Sequence, residues 1–310
     1  MTEKEQTRRQ FLQSSGCLSA AAGIVAVASL AGASSSLGQV LPAPPSGGVR
    51  GPAARRAGKP PLVAGGGKQL FKLGLASYTL RKFNLDDTLA MTKRVGLEYI
   101  CFKSFHLPLD STPADIQAVV EKVKEAGLIL YGGGVISMNK EDQVNNAFDY
   151  AKAAGMKVIV GVPAPELLPM VNKKVQEYDI KVAIHNHGPG DKIYPTPASA
   201  YERIKNLDKR IGLCNDIGHT IRIGSDPIAS AKKYADRLLD VHMKDVSEAT
   251  PKGSNIEVGR GVIDIPKFLK TLIEIKYSGI VSFEYEKDAE DPLAGLAESV
   301  GYVRGVLAAI

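Results

Sequence analysis

The sequence predicts an α/β chain folded as a single (β/α)8 barrel over residues 68–310. Three observations carry this. Short apolar runs rich in Val and Ile alternate eight times with segments of helical period. The runs are apolar on both faces, as in a parallel sheet covered on both sides. The eight units need about 240 residues, the usual span of such a barrel. An open doubly wound sheet shows the same alternation, so the alternation by itself does not demand closure.

Taken in order, residues 71–78 form the first strand, and Asn84 caps a helix over 85–95. Residues 97–103 are the second strand. Thr112-Pro113-Ala114-Asp115 opens the next helix with a hydroxyl N-cap, a proline at the first helical position and an acid three residues on. Gly127 ends that helix. Residues 128–131 are the third strand, and Gly132-Gly133-Gly134 reads as a turn or as a close backbone approach to a ligand. A helix over 140–154, a strand over 157–162, a helix over 165–178 and a strand over 181–185 follow. Thr196-Pro197 opens the fifth helix, 211–216 is the sixth strand, Asp226-Pro227 opens the sixth helix, and 238–243 is the seventh strand. A longer loop, 245–263, precedes a helix over 265–275. Residues 279–285 are the eighth strand and 292–307 the last helix.

The first 67 residues read differently. Thr7-Arg8-Arg9-Gln10-Phe11-Leu12 is a twin-arginine pattern, residues 17–33 are uncharged, and Ala31-Gly32-Ala33 offers a small-residue cleavage site. That order predicts a twin-arginine signal peptide over 1–33, with export to the periplasm and contact with the membrane only in transit. An uncleaved membrane anchor is the alternative. Residues 34–67, made of Ser, Pro, Gly, Ala and Arg, predict a flexible linker.

The formal net charge is +6. The signal accounts for +1 and the linker, with Arg50, Arg55, Arg56 and Lys59, for +4, which leaves the barrel at +1. A near-neutral barrel gives no electrostatic footprint for nucleic acid. Of three cysteines, Cys17 lies in the signal, while Cys101 and Cys214 sit in apolar runs and read as free buried thiols.

Four strand ends break the apolar pattern with His185, Asp216, His242 and Glu284. In a parallel barrel the strand ends converge on one face. Side chains alternate along a strand, so His187 accompanies His185 inward, Lys244 accompanies His242, Glu286 accompanies Glu284, and Lys103 accompanies Cys101. Singly, each reads as a structural histidine or a helix cap, Asp216 above all. Together they predict one divalent metal held by His185, Asp216, His242 and Glu284. Two imidazoles with two carboxylates suit Mn, Zn, Co or Fe.

At these residues the sequence resembles the xylose isomerase-like TIM-barrel superfamily, in its sugar phosphate isomerase/epimerase group. The resemblance covers residues 70–310 and rests on Asn186-His187-Gly188, Asp216-Ile217-Gly218-His219, Val241-His242-Met243-Lys244-Asp245, Gly259-Arg260-Gly261-Val262-Ile263-Asp264 and Phe283-Glu284-Tyr285-Glu286. It implies metal ligation by Asp216, His242 and Glu284, and a substrate contact at His219. The group commonly carries glutamate where this chain has His185, and there that glutamate and the strand-eight glutamate form the acid/base pair. The two-carboxylate mechanism is therefore not preserved.

The function this predicts is metal-dependent proton abstraction beside a carbonyl of a small carbohydrate, ending in isomerisation or epimerisation. The base candidates are His219 first, Glu286 second and His185 last, since the metal would hold it, with Lys244 and the metal stabilising the enediolate charge. Lys103, His106, His187 and Arg260 are expected to contact substrate. A lyase or hydrolase of 3-keto-glycosides is the same-class alternative. A non-catalytic metal and sugar-binding protein differs from both in having no rate to lose. A DNA-repair endonuclease shares the barrel, but the charge balance opposes it.

Overall fold

Eight parallel strands close into a barrel in the computed structural model, which describes residues 69–310. The expected signal peptide and linker lie outside the described residues. The barrel strands are β1 (Lys72–Ala76), β2 (Tyr99–Phe102), β3 (Ile129–Met138), β4 (Val158–Pro163), β5 (Lys181–His185), β6 (Ile211–Asp216) and β7 (Leu238–Met243). A small hairpin, β8 (Asp245–Val246) with β9 (Asn255–Ile256), precedes the last barrel strand, β10 (Ile280–Phe283). β10 pairs with β7 and β1, and β1 with β2, which completes the ring. Closure, open on the alternation alone, is settled by the β1–β10 pairing.

The outer helices are α1 (Leu85–Arg94), α2 (Pro113–Glu125), α3 (Glu141–Ala153), α4 (Leu168–Tyr178) and α5 (Pro197–Ile204). They continue as α6 (Ile217–Arg222), α7 (Pro227–Lys233), α8 (Ile265–Glu274) and α9 (Leu293–Ala309). Several begin where a short polar side chain accepts an orphan helix N–H. Asn84 takes the N–H of Asp87, Thr112 that of Asp115, Asp226 that of Ile228 and Asp264 that of Lys267. Thr196 and Ser199 form a reciprocal capping box.

The structure departs from expectation in three places. The glycine run Gly132–Gly134 lies inside a ten-residue β3 rather than in a turn after it. A Cβ on Gly132 would stand 2.8 Å from Val158 O, and one on Gly134 would overlap Val160, so these glycines let β3 and β4 approach. Residues 165–167 form a 3-10 turn ahead of α4. A short helix, α6, follows β6 directly, before the expected helix at Asp226.

The loop after β7 is built around one carboxylate. Asp245 is fully buried and accepts the backbone N–H groups of Val246, Gly259, Gly261 and Ile263 at 2.9–3.3 Å. A Cβ on Gly261 would collide with that carboxylate, which explains the glycine in Gly259-Arg260-Gly261. Removing the acceptor strands four backbone donors, those of Val246 and Ile263 in buried residues. Asp245→Ala is expected to lower unfolding free energy by about 3 kcal/mol in a urea titration. Arg260→Ala, which breaks an exposed pair with Glu298, is expected to leave the same titration nearly unchanged. Equal losses in the two variants would refute this account of the loop.

Candidate metal centre

The strand ends deliver His185 from β5, Asp216 from β6, His242 from β7 and Glu284 just past β10 to one place. One donor atom from each lies within 4.8 Å of those of the other three, and all four residues are buried. His185 Nε2 is 3.1 Å from His242 Nδ1 and 3.5 Å from Asp216 Oδ2, and His242 Nδ1 is 3.2 Å from Glu284 Oε2. Parallel register makes the convergence: His185 is level with Cys214, two residues below Asp216, and Asp216 is level with His242.

Asp216 has two tasks. Its Oδ1 accepts the His219 N–H at 2.7 Å and caps α6, so the cap anticipated from sequence is present. Its Oδ2 is buried, turned to His185, and makes no hydrogen bond. That oxygen, its one close cation the Lys244 ammonium at 2.9 Å, stands with two imidazoles and a second carboxylate around one point, a grouping that fits a divalent cation. The N2O2 donor set agrees with that fit.

Lys244 supplies the neighbouring positive charge. Its Nζ donates to Glu284 Oε2 at 2.8 Å and, through a short contact, to Glu286 Oε1. It lies 2.9 Å from Asp216 Oδ2, out of hydrogen-bond alignment. Burial works against the ammonium, but Asp216, Glu284 and Glu286 outweigh it and hold its pKa well above the usual lysine value.

The other pKa directions follow from the same balance. Burial opposes ionisation of Asp216, yet His219, Lys244 and His185 hold that carboxyl well below the ordinary range. Burial likewise opposes Glu284, and Lys244 and His242 pull it well below. Burial takes His185 down to about 3, keeping it neutral. Burial also lowers His242, but Glu284 outweighs it and the net direction is upward.

A cavity of about 290 Å³ opens above these groups, lined by Tyr78, Lys103, Val135, His185, His187, His219, Glu284 and Glu286. Lys103 donates to Val135 O at 2.6 Å, and burial lowers its pKa. His187 meets Asp191 Oδ2 at 3.2 Å, and the same carboxylate takes the N–H groups of Ile193 and Tyr194. The His219 ring lies 6.0 Å from those of both His185 and His187, and burial lowers its pKa.

Two expected substrate contacts are placed elsewhere. His106 is buried against α1, with Nε2 3.0 Å from Thr88 Oγ1 and 3.1 Å from Phe83 O, because the chain turns into a loop past Lys103. Arg260 makes a two-pronged pair with Glu298 of α9 on the surface. Two residues were missed. Tyr78 follows β1 and lines the cavity; its position at a strand end was the available signal. Asp240, two residues before His242 and so on its face of β7, is fully buried, and burial pushes it up to about 7.

The chain is 28% identical over 131 residues to the rhizopine catabolism protein MocC of Rhizobium meliloti, covering 37% of this chain and 40% of that one. It is 28% identical over 141 residues to the inosose dehydratase of Clostridium tetani, covering 39% of this chain and 45% of that one. The match thus spans less than half of either relative. A solved IOLI protein with a bound zinc atom shares the fold at a TM-score of 0.65 and 20% identity, over 77% of this chain and 99% of that one. A family profile described as xylose isomerase-like TIM barrel matches residues 89–306. The chain belongs to the xylose isomerase-like TIM barrel family.

Proposed function

We propose that this barrel is a metal-dependent enzyme that removes a proton beside a carbonyl of a small cyclic polyol or sugar, leading to isomerisation, epimerisation or loss of water. The observation that carries the reading is one buried N2O2 donor group opening on a cavity lined by Lys103, His187, His219 and Glu286. Relatives called inosose dehydratase and inosose isomerase support the substrate class. The cavity suits a ligand the size of a six-membered ring better than a polymer.

A divalent ion at His185, Asp216, His242 and Glu284 would supply Lewis acidity toward a substrate oxygen. The remaining work falls to the chain. His219 is kept neutral by burial, so its imidazole is ready to accept a proton. Glu286 is the second acceptor, oriented by Lys244. Lys244 stays cationic and offsets negative charge developing near Glu284 and Glu286. Lys103, with its pKa lowered by burial, faces the same cavity and is placed to donate to a departing oxygen. That placement favours the elimination branch, whether the leaving group is water or the aglycone of a 3-keto-glycoside. The twin-arginine motif at Arg8-Arg9 supports a periplasmic location, which we propose on that motif alone.

Two outcomes check this reading. His242 carries a raised pKa, and its Nδ1 must shed any proton before binding an ion. Manganese affinity is therefore expected to rise with pH across the histidine range and to level once His242 is neutral. His185, at about 3, adds no step there. Calorimetry in two buffers of different protonation enthalpy would read the released proton; an affinity flat between about pH 5.5 and 8 contradicts the assignment.

For the chemistry, the full-length protein with manganese is mixed in D2O with an inosose, a ketose or a 3-keto-glucoside. NMR is expected to show exchange of the proton beside the carbonyl, slowed about 10²–10⁴-fold in His219→Gln. If every substrate keeps its proton while metal still binds, the non-catalytic binding reading replaces this one.

A further inference from the structure

Below the four metal donors, the barrel interior carries a layer of polar groups that the proposed reaction does not use. Cys214 is part of it. It stands on β6 two residues before Asp216, so both side chains face inward. Its Cα is paired with His185 on one side and Asp240 on the other.

We propose that Cys214, His185 and His242 form a second donor set that accepts a soft, thiophilic cation. One donor atom from each of the three lies within 4.8 Å of the other two. All three side chains are buried, Cys214 completely. His185 Nδ1 and His242 Nε2 are buried without a hydrogen-bond partner, so each ring keeps a nitrogen uncommitted. The thiol itself has a weak polar contact, Asp240 Oδ1 at 3.9 Å. On binding, the metal–sulfur bond forms as the S–H bond breaks, and the proton passes to solvent.

The two donor sets share both histidine residues. Asp216 and Glu284 attract a hard ion; Cys214 attracts a soft one. The inference rests on the metal reading above only through the shared histidines. Cys101, in the same buried cluster as Cys214, lies outside the donor group and serves as a control.

The test titrates the full-length chain with cadmium chloride and follows the ultraviolet thiolate-to-cadmium band. The band is expected in the unaltered protein and in the Cys17→Ser/Cys101→Ser double variant, where Cys214 is the one cysteine left. It is expected to vanish in Cys214→Ser, with cadmium affinity at least about tenfold weaker. Because the double variant reports Cys214 directly, the test survives a misfolded Cys214→Ser. Cadmium binding without the band in the double variant overturns the proposal. Manganese binding to the unaltered chain, measured alongside, separates the two ideas: if manganese binds and the band is absent, the oxygen donors stand and the sulfur set falls. If neither metal binds, both fall.

Discussion

The ammonium of Lys244 is the constraint on which this barrel mouth depends. Two buried carboxylates, Asp216 and Glu284, and a third at the cavity wall, Glu286, lie within contact of it. Carboxylates brought out of water together repel one another and lose hydration. For Asp216 and Glu284 burial alone favours the protonated form, and the nearby cation reverses that direction. Lys244 keeps all three in reach of one positive centre. One ammonium does not neutralise three carboxylates, so the balance stays negative. A residual negative charge in a low-dielectric, histidine-lined pocket is a physical reason for a divalent cation there.

Asp216 ties that centre to the fold. One oxygen caps α6 and the other faces the histidines. The cap sets the carboxylate's rotation, and the strand register sets its height. Asn186, next to His185, accepts the Asp216 N–H and reaches Thr220 of α6. β5, β6 and α6 are thereby locked into one unit, and the candidate metal donors inherit its rigidity. Asp245 does the same for the following loop, gathering four backbone donors so that β8 and β9 stand beside the mouth.

Most of this was legible in the chain, for identifiable reasons. A buried parallel strand is apolar throughout, so a histidine or acid at its end stands out. Period-two alternation then pairs His185 with His187 and Glu284 with Glu286, and all four line the cavity. Capping residues marked helix starts because their side chains replace missing helix acceptors. The failures share a cause as well. His106 and Arg260 lie on loops, where no periodicity says which way a side chain turns, and each found a local partner. Asp240 sits inside an apolar strand rather than at its end, and alternation alone would have placed it beneath His242. The glycines of β3 were ambiguous because a turn and a close strand approach demand the same missing Cβ.

His185 decides how this member differs from the group it resembles, in which glutamate is usual at that position. An imidazole at about 3 remains neutral through the physiological range, so one negative charge is absent from the donor set. Affinity for a hard cation should be lower for that reason, and the balance moves toward ions that accept nitrogen. Burial that takes the His185 ring down to about 3 also makes it a poor proton acceptor. In the proposed reaction that leaves proton transfer to His219 and Glu286, which line the cavity. On the proposed reading, the substitution separates two duties that a glutamate can combine: the strand end holds the ion, and the wall above it moves the proton.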